Sequence, residues 1–114
     1  MEFYKQYFEA ANILGASILV LHGQNNCGRY GGIEEKDYLE KYLALYELGQ
    51  QFGITVAQEN VNGFRSANPS FIRRMREQLQ NCCAFVFDVK QAVRAGFDPY
   101  DMCDAMGKNL IHVH

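Results

Sequence analysis

Four apolar segments of this chain each end at a residue that binds metals or transfers protons. They are residues 17–21 before His22, 54–58 before Glu59, 84–87 before Asp88 and 109–113 before His114. Short apolar runs of this kind predict buried parallel β-strands. Because ligands bind at the carboxyl ends of the strands in α/β folds, we expect these four side chains to gather at one edge of one sheet.

Helical patterns separate the predicted strands. Asn68 precedes Pro69 and Asp98 precedes Pro99, so each pair places a capping side chain before a proline at the first helical position. Asn81 is expected to take the left-handed conformation after the helix that begins at Pro69. Apolar spacing and these caps together predict five helices, over residues 3–14, about 34–52, 69–80, about 90–95 and 99–106.

The resulting order, α-β-α-β-α-β-α-β, predicts an α/β fold within one domain of residues 1–114. Successive strand ends lie about 30 residues apart, which is the length of one right-handed βαβ unit. A four-stranded parallel sheet built from such units has two open edges and an uncovered face. We therefore expect the chain to form about half of a larger barrel, or to form a homo-oligomer through its open sheet edges.

The composition of the chain argues against nucleic acid and membranes as binding partners. The net charge of -2 provides no positive field for nucleic acid or for an anionic membrane. No apolar run approaches the roughly 18 residues that a membrane-spanning helix needs, and the first residues lack the pattern of a secretory signal. The four cysteines form no C-x-x-C pair, and Cys82 and Cys83 are expected to be small buried apolar residues. We therefore expect a cytoplasmic protein that binds neither nucleic acid nor membrane.

Short motifs surround the four strand ends. Residues 10–23 read AANILGASILVLHG, 53–60 read GITVAQEN, 87–99 include FDVKQA and GFDP, and 109–114 read NLIHVH. In their order and spacing these motifs resemble those of xylose-isomerase-like TIM barrels. That superfamily includes sugar (phosphate) isomerases and epimerases and the endonuclease IV group. The resemblance covers nearly the whole chain and implies the central four βα units of an eight-unit barrel.

The resemblance implies a divalent-metal enzyme with Glu59, Asp88 and His114 as metal ligands. Glu59 would also be the catalytic base or acid that moves a substrate proton through a metal-stabilised enediolate. These ligands favour Mn²⁺, Mg²⁺ or Co²⁺, and Zn²⁺ is possible. The family's fourth ligand, a glutamate on the last barrel strand, has no counterpart here, so we expect the isolated chain to be inactive. His112, one layer deeper than His114, is expected to be a buried core histidine.

Four further residues are candidates for contact with a small sugar or sugar phosphate: His22, Asn60, Arg65 and Gln91. By the resemblance, His22 corresponds to a histidine that binds metal in the endonuclease branch and lies near substrate in the sugar branch. Arg65, in the loop after the second strand, is expected to contact a phosphate or carboxylate group. Gln91 stands where the family often has a histidine, and its amide could donate to a sugar hydroxyl.

Two alternative functions remain open at this stage. An endonuclease IV-like nuclease would need more histidine ligands than Gln91 permits and a basic groove that the acidic composition does not indicate. A non-catalytic, self-associating half-barrel would have neither bound metal nor activity.

Overall fold

The sheet consists of four parallel strands that lie in chain order. The computed structural model describes residues 5–6, 8–10, 15, 17–22 and 34–114. The strands are β1 (Ile18–Leu21), β2 (Thr55–Glu59), β3 (Ala84–Phe87) and β4 (Leu110–Val113), and each pairs with the next in parallel register. The predicted α/β class with parallel strands is therefore confirmed.

Helices connect the strands as the sequence predicts. They are α1 (Glu35–Gln51), α2 (Pro69–Leu79), α3 (Val89–Arg94) and α4 (Pro99–Met106). Residues 5–6 and 8–10 are also helical, as predicted for the first helix, whereas the polar loop over 23–33 lies outside the described residues. None of the described helices is long and apolar enough to cross a membrane.

Two of these helices begin with the predicted caps. The Asn68 side chain accepts a hydrogen bond from Ser70 N at 2.9 Å, and Asp98 accepts one from Tyr100 N at the same distance. These contacts satisfy backbone N–H groups that have no partner within the first turn of the helix. The proline that follows each cap fixes a helical φ angle and has no N–H group to leave unpaired.

The end of α2 differs from the expectation. Gln80, rather than Asn81, has the positive φ angle of 50° that ends the helix. Gln80–Cys82 then form a turn of 3₁₀ helix, and β3 begins only at Ala84. Cys83 is buried as predicted, but Cys82 is only partly buried because it belongs to this turn and not to the strand.

The two faces of the sheet differ in burial. Side chains on the helix face, including Val56, Phe85 and Phe87, pack into one apolar core with α1, α2 and α4. The opposite face, which we call the inner face, carries the small cluster Ala57, Ala84 and Val86. By strand alternation Ile18 and Val20 also lie on the inner face, where they are 40% and 38% exposed.

A register irregularity sets the direction of the side chains on β4. Phe85 pairs with Leu110, but Val86 pairs with His112, so Ile111 is an extra residue that resembles a β-bulge. This shift places His112 opposite an inner-face residue and therefore brings His112 and His114 to the same side, with ring centroids 6.3 Å apart. The expectation that His112 is buried in the core is wrong: His112 is exposed, because no described element covers the inner face there.

Close packing of α1 on β2 generates the first prediction. A Cβ atom at Gly49 would lie 2.8 Å from Ile54 O and 3.0 Å from Val56 Cγ2. Replacing a helical glycine by alanine usually stabilises a protein by about 0.5–1 kcal/mol. Here we expect Gly49→Ala to lower the free energy of unfolding by about 1–3 kcal/mol, because α1 must move away from the sheet.

Urea unfolding measures this effect, with the exposed Ala44 on the same helix as the control position. Ala44→Gly should cost about 1 kcal/mol, which is the ordinary propensity effect. A higher unfolding midpoint for Gly49→Ala than for the wild type would contradict the packing described here.

Candidate metal centre

Glu59 is the centre of the side chains at the carboxyl edge of the sheet. It is the last residue of β2, and only 4% of it is exposed. Its Oε1 lies 3.0 Å from Nδ1 of His114, and its Oε2 lies 3.2 Å from Nε2 of His22. Burial of a carboxylate is costly unless the charge is paired and hydrogen-bonded. The imidazoles of His22, after β1, and His114, after β4, are the polar groups next to its two oxygens.

Asp88 completes a three-residue group with Glu59 and His114. One ligand atom from each of these residues lies within 4.8 Å of the other two. Asp88 Oδ1 accepts a hydrogen bond from Gln91 N and so caps α3, while Oδ2 lies 3.8 Å from His114 Nδ1. Asp88 is therefore both a helix cap and a candidate ligand.

Positive charge is favoured at this position. The hydrogen bond to Glu59 and the charge of that carboxylate raise the pKa of His114, and the charge of Asp88 adds to the effect. Two carboxylates thus converge on the imidazole of His114. Two oxygen donors and one nitrogen donor form a set that suits a divalent cation such as Mn²⁺ or Mg²⁺. The residues present therefore fit the metal that the resemblance implies.

The structure brings His22 to this group. The His22 side chain is 64% exposed, and the edge of its ring packs against Phe64 at a centroid distance of 6.3 Å. Gln91 lies nearby on α3, where its Oε1 accepts a hydrogen bond from Asn62 N at 2.9 Å. Its side chain thus ties the loop after β2 to the start of α3.

Asn60 and Arg65 occupy places that the sequence did not predict. Asn60 is fully buried, and both ends of its amide bond to the backbone of Asp88, so its side chain is not presented to a substrate. The Arg65 guanidinium lies over the rings of Tyr38 and Phe71, at 5.5 and 5.8 Å from the centroids. These rings belong to α1 and α2, so Arg65 packs on the helix layer.

Gln58 is a buried polar residue whose contribution the sequence analysis missed. It lies on the helix face of β2, where Tyr38 donates a hydrogen bond to its Oε1. Its Nε2 lies 3.1 Å from both Leu21 O and His22 O. The available signal was a lone amide within an apolar strand, next to the candidate base.

Comparisons with known proteins identify solved structures that share this fold. No family model matches the chain, and no curated protein matches it. Solved structures do match over 99% of the chain. The probable 3-DHS dehydratase AsbF from Bacillus anthracis has a TM-score of 0.80 at 16% identity, with 42% of its own chain covered. A D-psicose 3-epimerase from Clostridium cellulolyticum H10, solved with D-tagatose, has a TM-score of 0.78 at 15% identity, with 43% covered. A xylose isomerase domain protein from Planctomyces limnophilus has a TM-score of 0.75 at 14% identity, with 40% covered.

This chain has the fold of part of a (β/α)₈ TIM barrel. It spans less than half the length of the solved structures that it matches, so it corresponds to roughly half of such a barrel. The four parallel strands in consecutive order are the part of the barrel that it supplies.

The pairing of Glu59 with His114 generates the second prediction. In metal-free protein, Glu59→Gln should lower the pH at which His114 titrates, because it removes the group that most raises the pKa of His114. Asp88→Asn should lower it less, because Asp88 lies farther from Nδ1. NMR titration of the imidazole signals in the presence of a chelator measures both shifts. An unchanged midpoint in Glu59→Gln would contradict the pairing.

Proposed function

We propose that this chain is part of a divalent-metal-dependent sugar (phosphate) isomerase or epimerase. The observation that carries the proposal is the group of Glu59, Asp88 and His114 at the carboxyl edge of the sheet. Ligand sites of TIM barrels lie at that edge. Solved proteins of the same fold include a D-tagatose 3-epimerase-like protein and a D-psicose 3-epimerase solved in the presence of D-fructose.

In this proposal Glu59, Asp88 and His114 hold the metal. When bound, a divalent ion polarises the carbonyl and hydroxyl oxygens of a sugar and so acidifies the neighbouring C–H group. Glu59 takes the proton from that carbon, and the electron pair of the C–H bond moves towards the carbonyl. Return of the proton to the adjacent carbon, with the hydroxyl proton passing to the former carbonyl oxygen, would give isomerisation. Epimerisation would need a second acid, supplied by the rest of the barrel, to deliver a proton to the opposite face of the same carbon while Glu59 keeps the proton it removed.

The surroundings of Glu59 support its role as the base. Its burial keeps water from the carboxylate, and the hydrogen bond with His114 Nδ1 at Oε1 and the contact of His22 Nε2 at 3.2 Å from Oε2 restrict the orientation of that group. We propose that His22, which is exposed on the substrate side, also contacts a sugar hydroxyl. Gln91 offers its amide N–H groups to the same substrate, since its Oε1 is engaged by Asn62 N. Arg65 stays a proposed contact for a phosphate group, which would require its guanidinium to turn away from the rings of Tyr38 and Phe71.

The remaining expectations stay part of the proposal. Free thiols at Cys82, Cys83 and Cys103 support a reducing, cytoplasmic compartment. The net charge of -2 supports a small-molecule substrate and no nucleic acid or membrane partner.

We also propose that the isolated chain forms homo-oligomers, because Ile18 and Val20 expose the inner face that a closed barrel would bury. Val20→Lys should shift sedimentation velocity towards the monomer. A wild-type chain that is monomeric at micromolar concentration would contradict this.

Exchange of a carbon-bound sugar proton with D₂O tests the proposed reaction. The natural gene product that carries this chain, supplied with Mn²⁺, should exchange one C–H proton of D-fructose or D-tagatose, as followed by NMR. Glu59→Gln should lower the exchange rate by at least about 10²-fold, because the general base is lost.

His112→Gln is the matched control, since His112 lies on β4, two residues before His114, but outside the three-residue group. It should keep most of the activity. Equal exchange rates in Glu59→Gln and the wild type would refute Glu59 as the base.

A further inference from the structure

The two residues that flank Glu59 in sequence are both amides, and both are fully buried. Gln58 lies on the helix face of β2 and Asn60 directly follows the strand. Their side chains bond to the backbone of the neighbouring strands on opposite sides of β2. Each of these neighbouring strand ends carries one of the residues that surround the Glu59 carboxylate, His22 on one side and Asp88 on the other.

Asn60 joins the end of β2 to the end of β3. Its Nδ2 donates to Asp88 O at 2.9 Å, and Asp88 N donates to its Oδ1 at 2.8 Å. The strand register between β2 and β3 ends at the pair of Glu59 and Val86, so this amide continues the pairing beyond the last strand residues. Both backbone polar groups of Asp88 are therefore fixed, and its side chain starts from a defined position beside Glu59.

Gln58 joins the end of β2 to the end of β1. Its Nε2 lies within hydrogen-bonding distance of Leu21 O and His22 O, whereas the strand register ends at the pair of Leu21 and Gln58. Tyr38 donates to Gln58 Oε1 and so orients the amide. The carbonyl of His22 is thereby held in place, and the His22 ring lies 3.2 Å from Glu59 Oε2.

We propose that Gln58 and Asn60 are positioning residues with separate tasks. Asn60 sets the separation of the metal ligands Glu59 and Asp88, and Gln58 places His22 against the base. This inference rests on the metal site proposed above. Outer partners that orient ligands typically change metal affinity by 10- to 100-fold when they are removed. The two amides bond to different strands, so their effects are separable.

Asn109 provides a matched control for Asn60. It is also a buried asparagine, and its Nδ2 donates to Gln80 O and Cys83 O at the opposite end of β3. Alanine at either position removes a buried amide together with its hydrogen bonds to backbone groups. Only the change at Asn60 lies beside the metal ligands.

Calorimetric titration with Mn²⁺ measures the first task. Asn60→Ala should weaken Mn²⁺ binding by about 10- to 100-fold, and Asn109→Ala should leave it unchanged. Equal losses in the two variants would show that Asn60 acts only through general stability and would overturn the proposal. Full Mn²⁺ affinity in Asn60→Ala would overturn it as well.

Amide hydrogen exchange in metal-free protein tests the same contact without the metal. Asp88 N–H should exchange faster in Asn60→Ala than in the wild type, relative to the other amides of β3. Asn60→Asp retains the acceptor for this N–H group but turns a second oxygen towards Asp88 O, so Asp88 N–H should exchange more slowly than in Asn60→Ala and faster than in the wild type. It provides a second variant if Asn60→Ala does not fold. Exchange of Asp88 N–H as fast in Asn60→Asp as in a fully exposed amide, or full protection in Asn60→Ala, would overturn the role of Asn60. A wild type that binds no Mn²⁺ would refute the proposed function. The exchange measurement would still show whether Asn60 holds the backbone of Asp88.

Gln58→Met tests the second task, because methionine has a similar length and cannot donate to the carbonyl groups of β1. We expect Mn²⁺ affinity like that of the wild type and shifted NMR signals of the His22 imidazole. Gln51→Met, on the exposed end of α1, is the control and should leave these signals in place. Unshifted His22 signals in Gln58→Met, or a loss of Mn²⁺ affinity like that in Asn60→Ala, would overturn the assignment.

Discussion

The buried carboxylate of Glu59 is the constraint on which the edge of the sheet depends. A carboxylate that is 4% exposed needs polar partners, and here the imidazoles of His22 and His114 lie 3.2 and 3.0 Å from its two oxygens. These imidazoles follow β1 and β4, which are the outer strands of the described sheet. Glu59 ends β2 and Asp88 follows β3, so the residues around this one carboxylate come from the ends of all four strands.

The rest of the fold holds this arrangement at fixed spacing. The helix face of the sheet is packed by a continuous apolar core, which fixes the strands relative to α1, α2 and α4. Beyond the last paired residues of β1, β2 and β3, the side-chain amides of Gln58 and Asn60 make the hydrogen bonds between neighbouring strand ends. In the sequence Gln58-Glu59-Asn60, the candidate base stands between two amides. Gln58 bonds to the end of β1, and Asn60 bonds to the end of β3. This arrangement keeps polar side chains at a strand end without unpaired buried groups among the described residues.

Local signals made the strand ends and helix starts predictable from sequence. Asn68 and Asp98 precede prolines and cap their helices as expected, since a cap depends on residues only two positions away. The convergence of Glu59, Asp88 and His114 followed from parallel strands of similar length. The exposure of His112 and the extra residue Ile111 were not predictable, because both depend on the register between β3 and β4. The contacts of Gln58, Asn60 and Arg65 likewise depend on which neighbouring element each side chain meets.

The chain contributes three candidate ligands from strands that are adjacent in sequence order. The solved proteins with this fold are more than twice as long as the chain, so the whole enzyme, its substrate and its reaction are proposals that rest on this local geometry. The geometry itself is specific: one imidazole nitrogen faces two carboxylates, and one of those carboxylates also caps the following helix.

The most direct test of the metal centre is the number of Mn²⁺ ions bound per chain after dialysis, measured by mass spectrometry of the metal. Wild type, Asp88→Asn and His112→Gln would be compared under the same conditions. The structure predicts one ion per chain in the wild type and in His112→Gln, and loss of that ion in Asp88→Asn. No bound ion in the wild type, or equal binding in all three proteins, would contradict a metal centre at Glu59, Asp88 and His114.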